Sequence, residues 1–457
     1  MEARDTATAI VRRLRDAGFD ALFAGGCVRD QLLGRSPKDY DVATSAPAER
    51  VVALFPKSVP VGLQFGVVIV PIEGHRIEVA TFRRDGTYLD ARHPVTVHFG
   101  SPEEDARRRD FTINGMFFDP LADRVIDYVS GTSDLHAGVV RAIGDPHARL
   151  GEDKLRMLRA VRLAARLGFT IEPATWDAIR SDAATIDRIA WERIGEEIRM
   201  ILSEGAAKRG FELLHASGLL AAVLPEIAAM EGVAQSPLHH PEGDVLRHTL
   251  LVIDQLRSPT ETLAFGALLH DVAKPVCVGH RVAPEGDRIT FYGHPERGAE
   301  MAIAICQRLK RSRAVWERVA YLVRNHLRLV NAPRMRAATL KRFLREDGIE
   351  ELLELARIDA TAASGDLQYY EFCRAQLAAL SQEEMRPPRL LSGDDLVALG
   401  HRPGPRVGEI LHALEEAQLE GVLTTRADAL AWVARTHPPN ASAAERTPAP
   451  PRERRRE

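Results

Sequence analysis

The spacing of apolar residues changes along the chain and divides it into a part with a strand pattern and a part with a helix pattern. Residues 21 to 130 contain short apolar runs separated by turn residues, among them ALFAGGCV, YDVAT, FGVVIVPIEG, RIEVATF and VTVHF. Such runs predict the strands of one mixed sheet. From Glu152 onward, apolar residues recur three and four positions apart, as in Leu155 and Leu158, which predicts helices. The pattern as a whole indicates an α+β protein with its sheet near the N-terminus.

Clusters of Gly and Pro indicate further divisions. GVAQSPLHHPEGD, which begins at Gly232, interrupts two helical stretches, and a Pro-Pro pair precedes a last helical part. The final stretch PPNASAAERTPAPPRERRRE offers almost nothing to bury, so we expect disorder there. The predicted segments are a head at 1–145, a helical neck at 146–232, a third domain at 233–380, a helical C-terminal part at 381–437 and a disordered tail at 438–457.

Composition excludes several classes of protein. The 457 residues include 61 Lys and Arg against 64 Asp and Glu, a net charge of -3, so nucleic-acid contacts must come from local patches. No apolar run approaches the roughly 18 residues that cross a bilayer, and we expect no membrane association. The first 20 residues lack the apolar stretch of a secretory signal, and the four cysteines form no CxxC pair. A reducing cytoplasm is the expected location.

Two acids stand at the start of a predicted strand in GGCVRDQLLGRSPKDYDVAT, which begins at Gly25. Because side chains alternate along a strand, the carboxylates of Asp39 and Asp41 can point at the same spot. Convergent carboxylates hold Mg²⁺ well, and paired metal ions can activate a 3′-hydroxyl and stabilise a triphosphate leaving group. Glu78, in RIEVATF, is a candidate third acid. By itself, however, the Asp-x-Asp tripeptide is more often a solvated strand end.

Two further features of this segment suit a phosphate ligand. Gly25 and Gly26 let backbone N–H groups approach phosphates, and Arg29 adds a positive charge. Downstream, RRRDFTIN runs from charged residues directly into apolar ones, which predicts a helix start with one wet side and one buried side. We interpret Arg109, Asp110 and Asn114 of this motif as sugar and phosphate contacts. A solvated charge run is the alternative.

The longer context resembles a known family. The pattern GG-VRD-LLG, followed by Asp-x-Asp-x-Ala-Thr, resembles the nucleotidyltransferase motif of class II tRNA nucleotidyltransferases, the CCA-adding enzymes and bacterial poly(A) polymerases of the polymerase-beta superfamily. Further family-like motifs follow in order: TFRRDGTYLDARHPVTVHF (81–99, similar to a mobile loop), RRRDFTINGMFFD (107–119), IDYVSG (126–131), GEDKLRMLRAVRLAARLGF (151–169) and ERIGEEIRMIL (192–202). Several motifs in one order are far more specific than any one of them.

The resemblance implies a fold and a set of site residues. The fold is a polymerase-beta-like nucleotidyltransferase head with a mixed sheet and helices, followed by an all-α neck and body. Asp39, Asp41 and Glu78 are the implied catalytic residues, with Mg²⁺ on the two aspartates. The implied nucleotide-binding residues are Gly26, Arg29, Arg109, Asp110, Asn114, Asp153, Arg156, Arg159 and Arg162.

Asp153 and Arg156 are the candidates for choosing the base. Residues three apart share one face of a helix, where a carboxylate and a guanidinium can offer an acceptor and donors to a base edge. By resemblance, this pair selects CTP and then ATP without a nucleic-acid template. A surface ion pair is the alternative. The arginines that follow, at 159, 162 and 166, are candidates for the triphosphate or the RNA backbone, or solvate the helix.

The second half of the chain contains six candidate metal ligands, each in or at the end of a helical segment: His248, His270, Asp271, His294, His326 and Asp359. Imidazoles with carboxylates suit Mn, Fe, Ni or Zn, and six ligands are enough for two metals that share an aspartate. Their order, with the stretch ALLHDVAKP, resembles the HD superfamily of metal-dependent phosphohydrolases and implies an all-α HD domain. An HD fold kept only as an RNA-binding scaffold is the alternative.

These expectations combine into one function with alternatives. The resemblance implies a template-independent enzyme that adds C, C and A to tRNA 3′ ends from CTP and ATP, with an HD domain that hydrolyses 2′,3′-cyclic phosphates and phosphomonoesters. A poly(A) polymerase and a specialised CC- or A-adding enzyme share the motifs. From another class, an HD phosphohydrolase whose head only holds RNA remains possible. The expected cofactors are Mg²⁺ and a divalent transition metal, and a monomer and a homodimer are both compatible with the sequence.

Overall fold

The computed structural model describes residues 2–62, 66–85, 97–236, 240–283, 286–381 and 385–439. Its internal contacts divide the chain into two units, Met1–Arg324 with Ala362–Ser364, and Asn325–Thr361 with Gly365–Glu457. Within the described residues, no helix is long and apolar enough to span a membrane. The finer division into five segments stays a prediction, and the mobile-loop residues 86–96 and the tail beyond Pro439 lie outside the described residues.

The strands belong to the first unit. They are β1 (Ala21–Ala24), β2 (Asp41–Thr44), β3 (Val59–Gly62), β4 (Val67–Ile72), β5 (His75–Thr81), β6 (Arg83–Asp85), β7 (Val97–Phe99), β8 (Phe117–Asp119), β9 (Arg124–Ile126), β10 (Val139–Val140), β11 (Thr170–Ile171), β12 (Gly279–Ala283) and β13 (Gly286–Thr290). After β11 the described chain is almost wholly helical, as the apolar spacing predicts.

Helices occur in both units. They are α1 (Ala3–Asp16), α2 (Gly26–Leu32), α3 (Ala48–Leu54), α4 (Pro102–Arg107), α5 (Gly131–Ala137), α6 (Pro146–Glu152), α7 (Arg156–Leu167), α8 (Pro173–Asp182), α9 (Trp191–Ser203), α10 (Ala207–Ser217), α11 (Leu219–Val223), α12 (Pro225–Ala228), α13 (Val245–Asp254), α14 (Glu261–Leu269), α15 (Lys274–Cys277), α16 (His294–Arg308), α17 (Arg313–Asn325), α18 (Ala337–Leu344), α19 (Ile349–Ala362), α20 (Gln368–Ala379), α21 (Gly393–Ala398), α22 (Pro405–Leu419) and α23 (Arg426–Thr436). Short 3₁₀ turns cover Thr112–Asn114, Ala183–Arg188 and Arg328–Arg334.

Seven strands form one mixed sheet in the order β3-β4-β5-β2-β1-β8-β9. β2 and β5 run parallel, whereas the other neighbouring pairs are antiparallel. In the parallel pair, Asp41 stands opposite Glu78. Leu22, Phe82 and Phe117 lie in one apolar cluster of this region, so burial of alternate residues fixes the strand register. The predicted mixed sheet is confirmed.

The run VTVHF does not join that sheet. Its strand β7 pairs with β6, with Arg83 opposite Phe99, as a separate two-stranded ribbon. The expectation that all five runs share one sheet was therefore wrong for this run. Local hairpin pairing explains the difference, because β6 is the strand that precedes β7 in sequence.

Two helices, α1 and α7, bury one side against the rest of the first unit. The buried residues of α1 include Ile10 and Leu14, which lie one helical turn apart on the face that packs against β1 and β2. α7 buries Leu158, Val161 and Ala165 on one side and packs against α9 and α10. The arginines of α7 therefore lie on its other side.

The helical part differs from an all-α arrangement in small ways. β10 pairs with β11 between head and neck, and β12 pairs with β13 as an antiparallel hairpin inside the region predicted as an HD domain. Neither pair was predicted, because strands this short carry too few residues for a periodic signal. The second unit has its own apolar cluster, which includes Leu396, Ile410 and Leu414.

Candidate active site and metal centre

A cleft of about 510 Å³ lies between the sheet and α7 within the first unit. Its lining residues are Gly25, Gly26, Arg29, Asp41, Arg83, Arg108, Arg109, Asp110, Asn114, Asp153, Arg156, Arg159, Arg162, Leu163 and Arg166. Arginines outnumber carboxylates in this lining, which suits a ligand with several negative charges. All nine predicted nucleotide-binding residues line this one space.

The three predicted acids approach each other at the β2 edge of the cleft. Asp41 and Glu78 are in register on neighbouring strands and both line an adjoining cavity of about 270 Å³. Asp39 is exposed, two residues before Asp41. Asp41 keeps a water-accessible side, yet burial among protein atoms raises its pKa to about 6, with Glu78 adding to the rise and Arg109 opposing it. Repulsion of this kind is relieved by a bound cation.

Gly25 brings the backbone close to two of these charged groups. Its φ is +75°, a conformation that L side chains rarely adopt, and a Cβ there would lie 3.1 Å from Nη1 of Arg109 and 4.0 Å from Oδ2 of Asp41. The glycine is therefore required both by the turn and by the close approach.

Arg29 is buried and fixed by protein partners. Its Nε donates to Oδ1 of Asp30 at 2.8 Å, and its Nη1 donates to Oδ1 of Asn114 at 2.6 Å. Burial lowers the pKa of Arg29, and Asp30 opposes that shift. Arg166 of α7 donates to the other oxygen of Asp30 at 3.1 Å. These bonds tie α2 to the RRDFTIN motif and to α7.

Asp110 is the buried acid of the cleft. Its Oδ1 accepts hydrogen bonds from the backbone N–H of Phe111 at 2.8 Å and from Nδ2 of Asn114 at 3.1 Å, and its Oδ2 lies 2.7 Å from Arg159. Burial would raise the pKa of Asp110, but Arg159 and these bonds lower it to about 2. Asp110 is therefore ionised at neutral pH and holds the side chains of Asn114 and Arg159 in place. The RRDFTIN motif folds here into a 3₁₀ turn, not into the predicted helix start.

The structure corrects the geometry expected for Asp153 and Arg156. Asp153 follows the end of α6 in extended backbone, with φ −148° and ψ 104°, while α7 begins at Arg156. The two residues therefore do not share a helix face, and they do not form the i,i+3 ion pair of the alternative. Arg193 of α9 donates to both oxygens of Asp153, at 3.1 and 2.7 Å. Arg156 donates to Oε2 of Glu152 at 2.5 Å.

Residues on α9 were missed by the sequence reasoning. Arg193 fixes Asp153, and Glu197 accepts a hydrogen bond from Nε of Arg162 at 2.7 Å. Both belong to the motif ERIGEEIRMIL, which was recognised as a motif without a role for any of its residues. An arginine and a glutamate four apart on a helix are the signal that could have indicated a shared helix face turned toward α7 and the segment before it.

Four of the six predicted metal ligands meet in a buried cluster of the first unit. The Nε2 atoms of His248 and His270 lie 3.4 Å apart, and Oδ2 of Asp271 lies 3.2 Å from Nε2 of His270 and 3.9 Å from Nε2 of His248. His294, the first residue of α16, has Nε2 3.4 Å from Oδ1 of Asp271. All four residues are less than 9% exposed.

Hydrogen bonds at Nδ1 fix the ring orientation of two histidines in this cluster. Nδ1 of His270 lies 2.9 Å from the carbonyl oxygen of Ala267, and Nδ1 of His294 lies 2.7 Å from that of Phe291. A carbonyl only accepts, so Nδ1 of each ring carries a proton, and Nε2, on the side of Asp271, is the nitrogen left for a metal ion. Imidazole lone pairs around a carboxylate fit a divalent transition metal.

A further carboxylate was missed because its segment was interpreted as a domain boundary. Oε1 of Glu242 lies 2.6 Å from Nδ1 of His248 and 3.0 Å from Nδ1 of His240. Burial would raise the pKa of Glu242, but its hydrogen bonds, that of His248 first, lower it to about 2. The sequence signal was the HHPEGD stretch itself, with histidines and an acid a few residues before a predicted ligand.

Lys274 adds a cation to the cluster. Its Nζ lies 2.7 Å from Oδ2 of Asp271 and donates to Oε1 of Gln235 at 2.5 Å. Burial would raise the pKa of Asp271, but His270 and Lys274 hold it well below its usual range. Asp271 is therefore an ionised ligand. The last two predicted ligands, His326 and Asp359, belong to the second unit, and their place at this centre stays a prediction.

Comparison with known proteins identifies the family. Family models match at 21–141 (Poly A polymerase head domain), at 168–231 ("Probable RNA and SrmB- binding site of polymerase A") and at 245–364 (HD domain). The A-adding tRNA nucleotidyltransferase of Deinococcus radiodurans is 36% identical over 434 residues, which cover 91% of this chain and 95% of that protein. The chain belongs to the tRNA nucleotidyltransferase family.

Other members of this nucleotidyltransferase family agree with that placement. The CCA-adding enzyme of Pediococcus pentosaceus is 34% identical over 330 residues, 68% of this chain and 82% of that enzyme. The crystal structure of the Bacillus stearothermophilus CCA-adding enzyme in complex with CTP matches at 28% identity and a TM-score of 0.73, covering 95% and 97% of the two chains. The predicted nucleotidyltransferase head and HD domain are confirmed, and both families are metal-dependent.

Proposed function

We propose that this nucleotidyltransferase adds C, C and A to the 3′ ends of tRNA from CTP and ATP, without a nucleic-acid template. The observation that carries the proposal is the shared cleft, in which Asp41, Asp153 and eight arginines, Arg156 among them, face one space. Acids for a metal, cations for a triphosphate and a hydrogen-bonding edge for a base are the parts that nucleotidyl transfer needs.

In the proposed reaction the RNA 3′-hydroxyl attacks the α-phosphate in line and pyrophosphate leaves. Asp39 and Asp41 would hold Mg²⁺, with Glu78 beside them, and this ion supplies activation of the hydroxyl and charge stabilisation of the leaving group. Arginines of α7 and of the RRDFTIN motif bind the triphosphate. Asp153 and Arg156, held by Arg193 and Glu152, present their polar atoms to the base.

The partners in this proposal rest on relatives as well as on the cleft. A relative of 28% identity binds CTP, and the relative of 36% identity is an A-adding tRNA nucleotidyltransferase. ATP is the second expected nucleotide. A cytoplasmic location, and the choice between monomer and homodimer, stay predictions.

One observation favours a narrower activity. The relative that matches 91% of this chain is an A-adding enzyme, whereas the CCA-adding enzyme of P. pentosaceus matches 68%. An A-adding enzyme needs a tRNA that already ends in CC. The mobile-loop resemblance at 81–99 favours the complete CCA reaction, which we keep as the first proposal.

Sequencing of reaction products separates these activities. Three tRNA transcripts, ending before, within and after CCA, are incubated with CTP, ATP or both. The proposal requires completion of the first two and no extension of the third. Extension of only the CC-ended transcript indicates an A-adding enzyme. Extension that stops after CC indicates a CC-adding enzyme, and a long A tail indicates a poly(A) polymerase. No extension at all, with hydrolysis retained, leaves an HD phosphohydrolase with an RNA-binding head.

We also propose that the HD domain hydrolyses phosphoesters, with 2′,3′-cyclic phosphates and phosphomonoesters at tRNA ends as substrates. The cluster of His248, His270 and Asp271 carries this second proposal, because its buried lone pairs suit Mn, Ni, Fe or Zn. Such an ion supplies an activated water for attack on phosphorus. Metal analysis of the purified and metal-loaded protein, together with hydrolysis of 2′,3′-cyclic AMP, tests it. Absence of metal above background after loading would overturn it.

A further inference from the structure

Glu242 lies before the residues that match the HD domain model, yet it contacts a predicted ligand of the metal centre. One of its oxygens, Oε1, lies 2.6 Å from Nδ1 of His248 and 3.0 Å from Nδ1 of His240. The HD match begins only at residue 245. The segment between the neck and α13 is therefore more than a connection.

Burial of the Glu242 carboxylate costs free energy of folding unless its charge is compensated. Its side chain is 4% exposed, and its second oxygen, Oε2, is buried without a hydrogen-bond partner among the described residues. A buried carboxylate disfavours folding unless its charge is paired or hydrogen-bonded. Two imidazole Nδ1 atoms within 3.0 Å of one oxygen are the compensation that the geometry offers.

The two histidines differ in their surroundings. His248 is fully buried and turns its other nitrogen, Nε2, toward His270 and Asp271. The side chain of His240 is 22% exposed, and its ring stands edge-on to that of His248 with 4.7 Å between centroids. Glu242 thus connects one ring inside the cluster to one ring near its surface.

We propose that Glu242 is the positioning residue of the HD metal centre. Its carboxylate accepts the Nδ1 proton of His248, which fixes the ring and leaves the Nε2 lone pair for the metal. His240 donates to the same oxygen and holds the carboxylate in that orientation. A carboxylate behind a ligating histidine also makes the ligand more basic. This inference rests on the HD function proposed above.

Equilibrium Co²⁺ affinity, measured by chelator competition, tests the inference, and the visible spectrum of the bound ion reports the ligand geometry. In the full chain, Glu242→Gln should weaken Co²⁺ binding about 10- to 100-fold, as loss of an outer partner of a ligand does elsewhere. Glu242→Asp keeps the charge with a shorter reach and should restore part of the affinity. Glu231→Gln is the matched control, because Glu231 forms an exposed pair with His215 at 3.2 Å, and it should bind Co²⁺ like the wild type.

The outcomes separate the two proposals. Wild-type protein that takes up no Co²⁺ overturns the HD function and this inference with it. Wild-type protein that binds Co²⁺, combined with unchanged affinity and spectrum in both Glu242 variants, overturns only the role of Glu242. Activity offers a second readout: hydrolysis by Glu242→Gln should recover at saturating Co²⁺ if the residue acts through the metal, and its failure to recover would contradict a positioning role.

Discussion

The nucleotide cleft and the histidine cluster of the first unit hold their charged groups in opposite ways. The cleft is wide, and its charged side chains are paired with charged neighbours before any ligand arrives, as Arg29 is with Asp30 and Asp153 with Arg193. The cluster is buried, and its rings turn their lone pairs toward one small volume.

This difference suggests different responses to substitution. Many contacts share the work of binding a nucleotide, so most single changes in the cleft should alter affinity or choice by modest amounts. A metal centre has few ligands, so the loss of one or two should remove its function. Asp41 is the exception in the cleft, since we propose that it holds the metal ion of the chemical step.

The largest effect should come from that exception. Asp41→Ala should abolish nucleotide incorporation, because it removes a proposed metal ligand, while tRNA affinity stays within a few-fold. Incorporation and gel-shift assays measure the two properties separately. Asp16→Ala, an exposed acid at the end of α1, is the control. Substantial incorporation by the Asp41 variant would remove the metal role of this strand.

We expect that the histidine cluster can be inactivated while the nucleotide cleft keeps its activity. His270→Ala/Asp271→Ala should lose transition-metal binding and hydrolysis of 2′,3′-cyclic AMP, because two buried ligands disappear, while nucleotide addition continues at a similar rate. Metal analysis and both activity assays on one preparation check this. If hydrolysis persists unchanged, the cluster is not its site.

Base choice should respond more gradually. Asp153→Ala or Arg156→Ala removes part of the polar edge offered to the base, so discrimination against UTP and GTP should fall by about 1–3 kcal/mol. Arg193→Ala should act in the same direction, because Arg193 holds Asp153 from α9. Competition between nucleotides on one transcript measures the change. Full selectivity in the Asp153/Arg156 double variant would rule out the base-choosing role.

The last effect concerns stability. The pKa of Asp110 is lowered to about 2 in the folded protein, against an ordinary value near 3.9 in an unfolded chain. Its ionised form therefore stabilises the fold by about 2–3 kcal/mol above pH 4, and this contribution disappears as the pH falls from about 4 to 2. Urea unfolding of Asp110→Asn and wild type should differ at pH 6 and converge near pH 2. Equal stability at pH 6 would contradict the proposed contribution.

The parts of this molecule that the sequence predicted are those that neighbouring residues decide. Asp41 and Glu78 were placed on strands from alternation within a few residues, and the structure pairs those strands. The partner of Asp153 lies 40 residues away on another helix, and no local spacing indicates such a contact. Glu242 was overlooked for a similar reason, because Gly and Pro around it indicate a boundary whether or not the segment also contacts a site.

The in-register pairing of Asp41 with Glu78 indicates which part of the cleft substitutions can rearrange and which part they cannot. Neighbouring strands lie about 4.8 Å apart, so the spacing of the two acids is set by backbone hydrogen bonds and is insensitive to the surrounding side chains. A slip of one residue would turn Glu78 to the other side of the sheet. The residues that we propose choose the base, Asp153 between α6 and α7 and Arg156 at the start of α7, are held by side-chain contacts, which substitutions can rearrange. Nucleotide preference can therefore diverge among relatives while the chemical step is inherited unchanged.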